Sequence, residues 1–182
     1  HGTTQVRMLT ICSMRDTVHK DLDTLLAVAR ALPSFGFSVV GGGKMLRMYE
    51  RRARRMGVRN VTFHGYQSEV PPYFERCDVF VLFTKHEGSP NVLLEAMAAG
   101  LPVAATKIPA IAEVIADGKN GVLLPQHDVA GAASRLEGLA QDPAQCRRLG
   151  DNARRTVANC FTLRGMLDAN FAAYRRVLEN GT

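Results

Sequence analysis

Tryptophan is missing from this 182-residue chain, and aromatic residues make up only 7% of it. A surface that stacks single-stranded bases needs a row of aromatics, so that class of binder is disfavoured. No recognition-helix motif, aromatic RNA-binding signature or zinc spacing is present either, and no nucleic-acid partner is expected. Cysteine is sparse and scattered. Cys12, Cys77, Cys146 and Cys160 form no close pair, which argues against a metal centre or a disulfide framework. Each is expected to be a small buried hydrophobe, in a reducing, cytoplasmic setting. No apolar run approaches the ~20 residues of a membrane span. No secretory or transit pattern is seen, nor any internal repeat or low-complexity segment.

What is present suits one globular domain. Hydrophobic residues are 46% of the chain and charged residues 22%, an ordinary balance. Residues 1–5 read as a cloning scar or linker, and 6–182 as the domain. The net charge of +6 and pI near 9.5 suit an anionic ligand or an anionic membrane surface. Arginine is concentrated at Arg47, Arg51, Arg52, Arg54, Arg55 and Arg59. A solvated outer face explains that cluster simply. Contact with lipid headgroups, at the inner face of the cytoplasmic membrane, is the sharper reading.

Short apolar runs alternate with helical patterns. Val6–Ile11, Phe37–Val40, the segment ending at Phe63-His64-Gly65, Val79–Phe83, Val103–Thr106 and Val122–Pro125 read as strands. Helices are expected over 21–32, 46–56, 69–76, about 90–99, about 128–139, 143–159 and 161–178. Six strands alternating with helices predict an α/β, Rossmann-like parallel sheet covered on both faces. Gly41-Gly42-Gly43 follows the second strand, but Leu46 stands where a dinucleotide fingerprint needs its third glycine, so a nicotinamide cofactor is not expected.

The chain is organised around 85–103, KHEGSPNVLLEAMAAGLPV. A buried strand leads into the turn Glu87-Gly88-Ser89. Ser89 is expected as the helix N-cap with Pro90 at the first helical position. Leu93, Leu94, Met97 and Ala98 then form the apolar stripe, Gly100 stops the helix and Pro102 prevents its resumption. Strand, turn and helix put free N–H groups and the helix dipole at the carboxyl end of the sheet, where an anion binds well. Glu87 and Glu95 flank that place. Phosphate would repel them, but each can accept hydrogen bonds from sugar hydroxyls.

This stretch resembles the nucleotide-sugar signature of the group 1 family of retaining glycosyltransferases, which have the GT-B architecture. That pattern is Glu, seven residues, Glu, with Gly directly after the first and Ala-Met-Ala-x-Gly-x-Pro-Val after the second. Glu87, Gly88, Glu95 and Ala96–Val103 fill it. The resemblance covers Val6 to about Tyr174 and implies the donor-binding C-terminal half of a GT-B enzyme, with the N-terminal acceptor half as its partner. It implies that Arg15 and Lys20 clasp the donor diphosphate, assisted by N–H groups near Asn91 and Val92. Glu87 would hold the donor sugar, Glu95 the ribose diol, and Gly41, Gly43 and Tyr66 the nucleotide. Arg15, Lys20 and Glu87 are the catalytic candidates. The family works without metal, and no cofactor is expected beyond the nucleotide sugar itself. Two departures stand out: Asp21 replaces the glycine usual after the lysine, and Pro109-Ala110 replaces a glycine pair. A nucleotide-sugar epimerase and a non-catalytic binding module are the alternatives. The isolated domain is expected to be inactive, because half the cleft lies elsewhere.

Overall fold

Six runs of residues with period-2 or fully apolar character form strands: β1 (Arg7–Ile11), β2 (Gly36–Val40), β3 (Val61–Gly65), β4 (Val79–Leu82), β5 (Val103–Thr106) and β6 (Val122–Leu124). They make one sheet, ordered β3-β2-β1-β4-β5-β6, and every pairing is parallel. The computed structural model describes residues 5–15 and 19–180; His1–Thr4, part of the expected linker, lie outside them.

The helices between the strands are α1 (Leu22–Ala31), α2 (Leu46–Arg55), α3 (Pro71–Glu75), α4 (Asn91–Ala98) and α5 (Pro109–Ala112). After β6 come α6 (Val129–Ala140), α7 (Pro143–Cys160) and α8 (Leu163–Asn180). Alternate strand residues feed two cores. Met8, Phe37, Val39 and Val81 pack on one face with Leu25 and Leu26 of α1 and Leu136 of α6. Leu9, Phe80 and Leu82 pack on the other with Leu93 and Met97 of α4. This double coverage explains why β4 and β5 are buried at every residue and read as continuous apolar runs. Fully burying one such side chain contributes about 1.5–3 kcal/mol.

Several local expectations shift. Asp21 caps α1, accepting from the Thr24 backbone N–H at 3.3 Å and the Thr24 hydroxyl at 2.8 Å. A cap of this kind contributes about 1 kcal/mol, and it turns the acid into the helix start. The helix expected at 69–76 shortens to Pro71–Glu75, because Pro71 and Pro72 lack a backbone N–H and fit only the first turn of a helix. On α4 the buried stripe is Leu93, Ala96 and Met97. Leu94 is only partly buried and Ala98 is exposed, so the helix is rotated from the expected face. Of the cysteines only Cys12 is buried; Cys77 and Cys146 are half-buried and Cys160 is exposed.

Candidate functional site

The chain builds β1, β2 and β3 in one direction, then returns to place β4 beside β1. Where the order reverses, the loops after β1 and β4 diverge and leave a crevice at the carboxyl ends of the strands. Here the two loops are stitched together. The Asp21 N–H donates to Phe83 O at 3.0 Å and the Lys85 N–H to His19 O at 2.8 Å. The Thr84 hydroxyl donates to His19 O at 2.9 Å. The stitching sets Lys20 opposite Thr84 and brings its ammonium against Glu87. Lys20 Nζ donates to Glu87 Oε1 in an ion pair whose side chains are only 18% and 10% exposed.

The glycine loop after β2 supports the β1 loop from below. The Cys12 N–H donates to Val40 O and the Met14 N–H to Gly42 O, both at 2.9 Å, and the Met45 N–H to Met14 O at 3.0 Å. Gly41 and Gly43 have φ of 132° and 148°, where an L side chain is strained. A Cβ on Gly41 would collide with the Cys12 carbonyl, and one on Gly43 with the Met14 backbone. Their close approach is therefore to the loop that carries Arg15, itself exposed. Gly88, by contrast, faces open space.

The start of α4 differs from expectation by one residue. Pro90, with ψ of 59°, is the N-cap, and no side chain caps the helix. The Ser89 hydroxyl instead donates to Asn91 Oδ1 at 2.8 Å. The Asn91 N–H donates to Ser89 O at 2.9 Å, while the Leu93 and Leu94 N–H groups donate to Pro90 O. The Val92 N–H, in the first turn, has no hydrogen-bond partner among the described residues. Lys20, Glu87, Asn91 and Val92 line one pocket of about 240 Å³, with Cys12 and Pro90. Burial pushes the Cys12 thiol up to about 11; Lys20 opposes the shift and Glu87 adds to it. It is a neutral wall of the pocket at physiological pH.

Glu95 lies one turn along α4, exposed and outside that pocket. Tyr66 is 80% exposed just beyond β3, and its Cβ lies against Gly42, at the same edge of the sheet. The structure thus brings Lys20, Glu87, Asn91 and Val92 together and sets Arg15, Tyr66 and Glu95 around the rim. His64 is packed: its Nε2 lies 3.2 Å from Ser38 Oγ and its ring stands edge-on to Tyr73. A larger groove of about 690 Å³ runs along β1–β3 past Arg7, Ser38 and Asn60, away from this crevice. Among the described residues no cluster of three or more His, Cys, Asp or Glu could hold a metal, and no helix is long and apolar enough to cross a membrane.

Residues 5–156 match the family model for glycosyl transferases group 1. The chain belongs to the group 1 glycosyltransferases. It is 32% identical over 162 residues to a putative glycosyltransferase, EpsD, of Bacillus subtilis (strain 168), covering 86% of this chain and 42% of that protein. It is 30% identical over 151 residues to LpsE, a lipopolysaccharide core biosynthesis glycosyltransferase of Rhizobium meliloti (strain 1021), covering 82% and 44% respectively. This glycosyltransferase chain thus spans under half the length of those relatives. Its fold is that of Anabaena HepE, solved in complex with UDP-glucose, with a TM-score of 0.81 at 21% identity over 93% of this chain and 49% of HepE. The sheet is accordingly of the Rossmann-like kind found in GT-B glycosyltransferases.

Proposed function

We propose that this chain is the donor-binding half of a retaining hexosyltransferase that uses a nucleoside diphosphate sugar. The observation that carries the reading is the Lys20–Glu87 pair, set against the start of α4 at the reversal point of the sheet. An ammonium has three N–H donors, so Lys20 can keep Glu87 and still bind a phosphate oxygen. Arg15 on the neighbouring loop adds a guanidinium suited to phosphate, and the Val92 N–H and the α4 dipole add fixed positive potential. Charge growing on the departing diphosphate is stabilised by these groups without a metal ion. Glu87 holds sugar hydroxyls and fixes the anomeric carbon. Glu95 takes the ribose diol, and Tyr66 with the Gly41–Gly43 loop borders the base. The exposed Phe171, Tyr174 and Leu178 of α8 suit burial against an acceptor-binding half. Transfer goes to a glycan, lipid or small acceptor, and the chain alone binds donor without turnover.

Calorimetric titration of the chain with UDP, GDP, ADP and their hexose conjugates tests this. The expected result is binding to one nucleotide series, unchanged by EDTA and weakened by Glu95→Ala. If full-length protein bound none of them, the donor reading would be overturned in favour of a non-catalytic module. Ring isomerisation of the donor without acceptor would identify an epimerase instead.

A further inference from the structure

The net positive charge of this chain comes from one segment. Residues 44–59 hold seven cations, Lys44, Arg47, Arg51, Arg52, Arg54, Arg55 and Arg59, against one acid, Glu50. The other 16 cations and 16 acids of the chain balance, so this segment carries the whole excess of +6. Helix α2 turns only Tyr49 and Ala53 fully into the core, and all seven cations are exposed. Arg52 pairs with Asp23 of α1 at 3.0 Å, and Arg54 Nε donates to Glu50 O of its own helix at 3.4 Å. Arg51, Arg54 and Arg55 surround the half-buried Met48 in a shallow open depression.

We propose that the outer face of α2 is a docking surface for an anionic phospholipid membrane. The chemistry of the patch selects this partner. Guanidinium groups bind phosphodiester oxygens in a bidentate manner, and a broad row of them matches a plane of headgroups. Residues 44–59 contain one aromatic, Tyr49, and it is buried. Base stacking is therefore not available on this face, which disfavours single-stranded nucleic acid. No large apolar side chain is exposed on α2, so attachment is electrostatic, reversible and screened by salt. Only the first turn of α2, and not its Arg51–Arg55 end, adjoins the donor crevice. Helix α2 begins where the Met45 N–H is bonded to Met14 O, next to Arg15. The proposal does not depend on the donor reading.

Cosedimentation with vesicles tests it. Vesicles of roughly equal phosphatidylglycerol and phosphatidylcholine are compared with phosphatidylcholine alone, between about 0.1 M and about 0.5 M NaCl. The patch variant combines Arg51→Glu, Arg54→Glu and Arg55→Glu. A control variant with the same charge change combines Arg147→Glu, Arg175→Glu and Arg176→Glu, all exposed and remote in sequence. Each cation near an anionic surface shifts affinity roughly fivefold. The expected result is binding only to phosphatidylglycerol vesicles, lost at high salt, and at least about tenfold weaker in the patch variant. The control should stay within about twofold. Thermal unfolding checks that both variants fold, and Arg→Gln changes at the same three positions replace the reversals if they do not. Equal loss in both variants, absence of vesicle binding, or tighter binding to a single-stranded oligonucleotide at equal phosphate concentration would each overturn the proposal.

Discussion

Strands β1 and β4 carry an ion pair at each end, and the two pairs are built differently. At the amino edge Arg7 grips Asp78 with a backbone N–H at 2.8 Å, Nη2 at 2.8 Å and Nε at 3.1 Å. Those side chains are 51% and 43% exposed. At the carboxyl edge Lys20 and Glu87 share a single hydrogen bond and are 18% and 10% exposed. In the amino-edge pair both carboxylate oxygens are engaged and both side chains are wet, a clasp open to solvent. The carboxyl-edge pair is nearly dry yet keeps two ammonium protons and a second carboxylate oxygen for other partners. A desolvated pair with spare hydrogen-bonding capacity beside a pocket has the properties of a binding site. The mere presence of an ion pair does not.

Removing one partner of the dry pair has the greatest consequence. Lys20→Ala strands a shielded carboxylate, and loss of about 3 kcal/mol is expected in denaturant unfolding, with loss of donor binding. Lys20→Met combined with Glu87→Leu should recover most of the stability, because no charge remains unpaired, and still fail to bind donor. A double variant that bound nucleotide sugar normally would reduce the carboxyl-edge pair to a second clasp.

A slightly smaller effect separates the glycine loop behind the carboxyl-edge pair from a turn that supports neither pair. Gly41→Ala adds backbone strain and a collision with the Cys12 carbonyl, so a loss of about 2–3 kcal/mol is expected. Gly118 has a left-handed φ of 71° but open space around its Cβ position. Gly118→Ala should cost only about 1 kcal/mol. Thermal or denaturant unfolding of both variants checks the difference. Equal losses would show that conformational strain alone matters and that the glycine loop does not support the β1 loop.

Much of this contrast was visible before the fold. The apolar run of β4, the turn at Gly88 and the stop at Gly100, with its φ of 79°, are local signals, and they placed the strand–helix unit within a residue or two. Resemblance supplied Arg15, Lys20 and the two glutamates. What sequence could not supply was contact across distance. Lys20 and Glu87 are 67 residues apart, and their meeting depends on the stitching of two loops. The entry to α4 also escaped, because Ser89 has two ways to use its hydroxyl. It bonds Asn91 instead of the helix backbone, and Pro90 becomes the cap. The expected role of Gly41 and Gly43 was close approach to a ligand; the observed approach is to the β1 loop. The arginines of α2 were legible in number, but the balance of charge over the rest of the chain matters only once α2 is seen to face outward.

Beside the dry pair, Glu95 is exposed on α4 and has no partner among the described residues. Glu95→Ala should leave the unfolding midpoint unchanged and weaken donor affinity by about 1–3 kcal/mol, the range for a hydrogen bond to a charged group. Calorimetry reads the affinity and thermal unfolding the stability. A stability loss with unchanged affinity would remove Glu95 from the site.

The smallest effect belongs to the wet pair, and its pH dependence identifies it. Partial burial tends to raise the Asp78 pKa, but the hydrogen bonds and charge of Arg7 outweigh burial and hold it below the ordinary value of 3.8. A carboxyl depressed by folding stabilises the native state fully above its unfolded pKa. That contribution is lost as pH falls through the depressed folded value. Asp78→Asn should therefore lower stability by less than about 1 kcal/mol at neutral pH, as expected of an exposed pair. The difference from the parent chain should shrink below pH of about 4 as Asp78 in the parent takes up its proton. Donor affinity should not move, because this clasp sits at the opposite end of β1 from Lys20. A change in affinity would mean that the two ends of the β1–β4 pair are energetically linked, and that the amino-edge clasp sets the register on which the carboxyl-edge site depends.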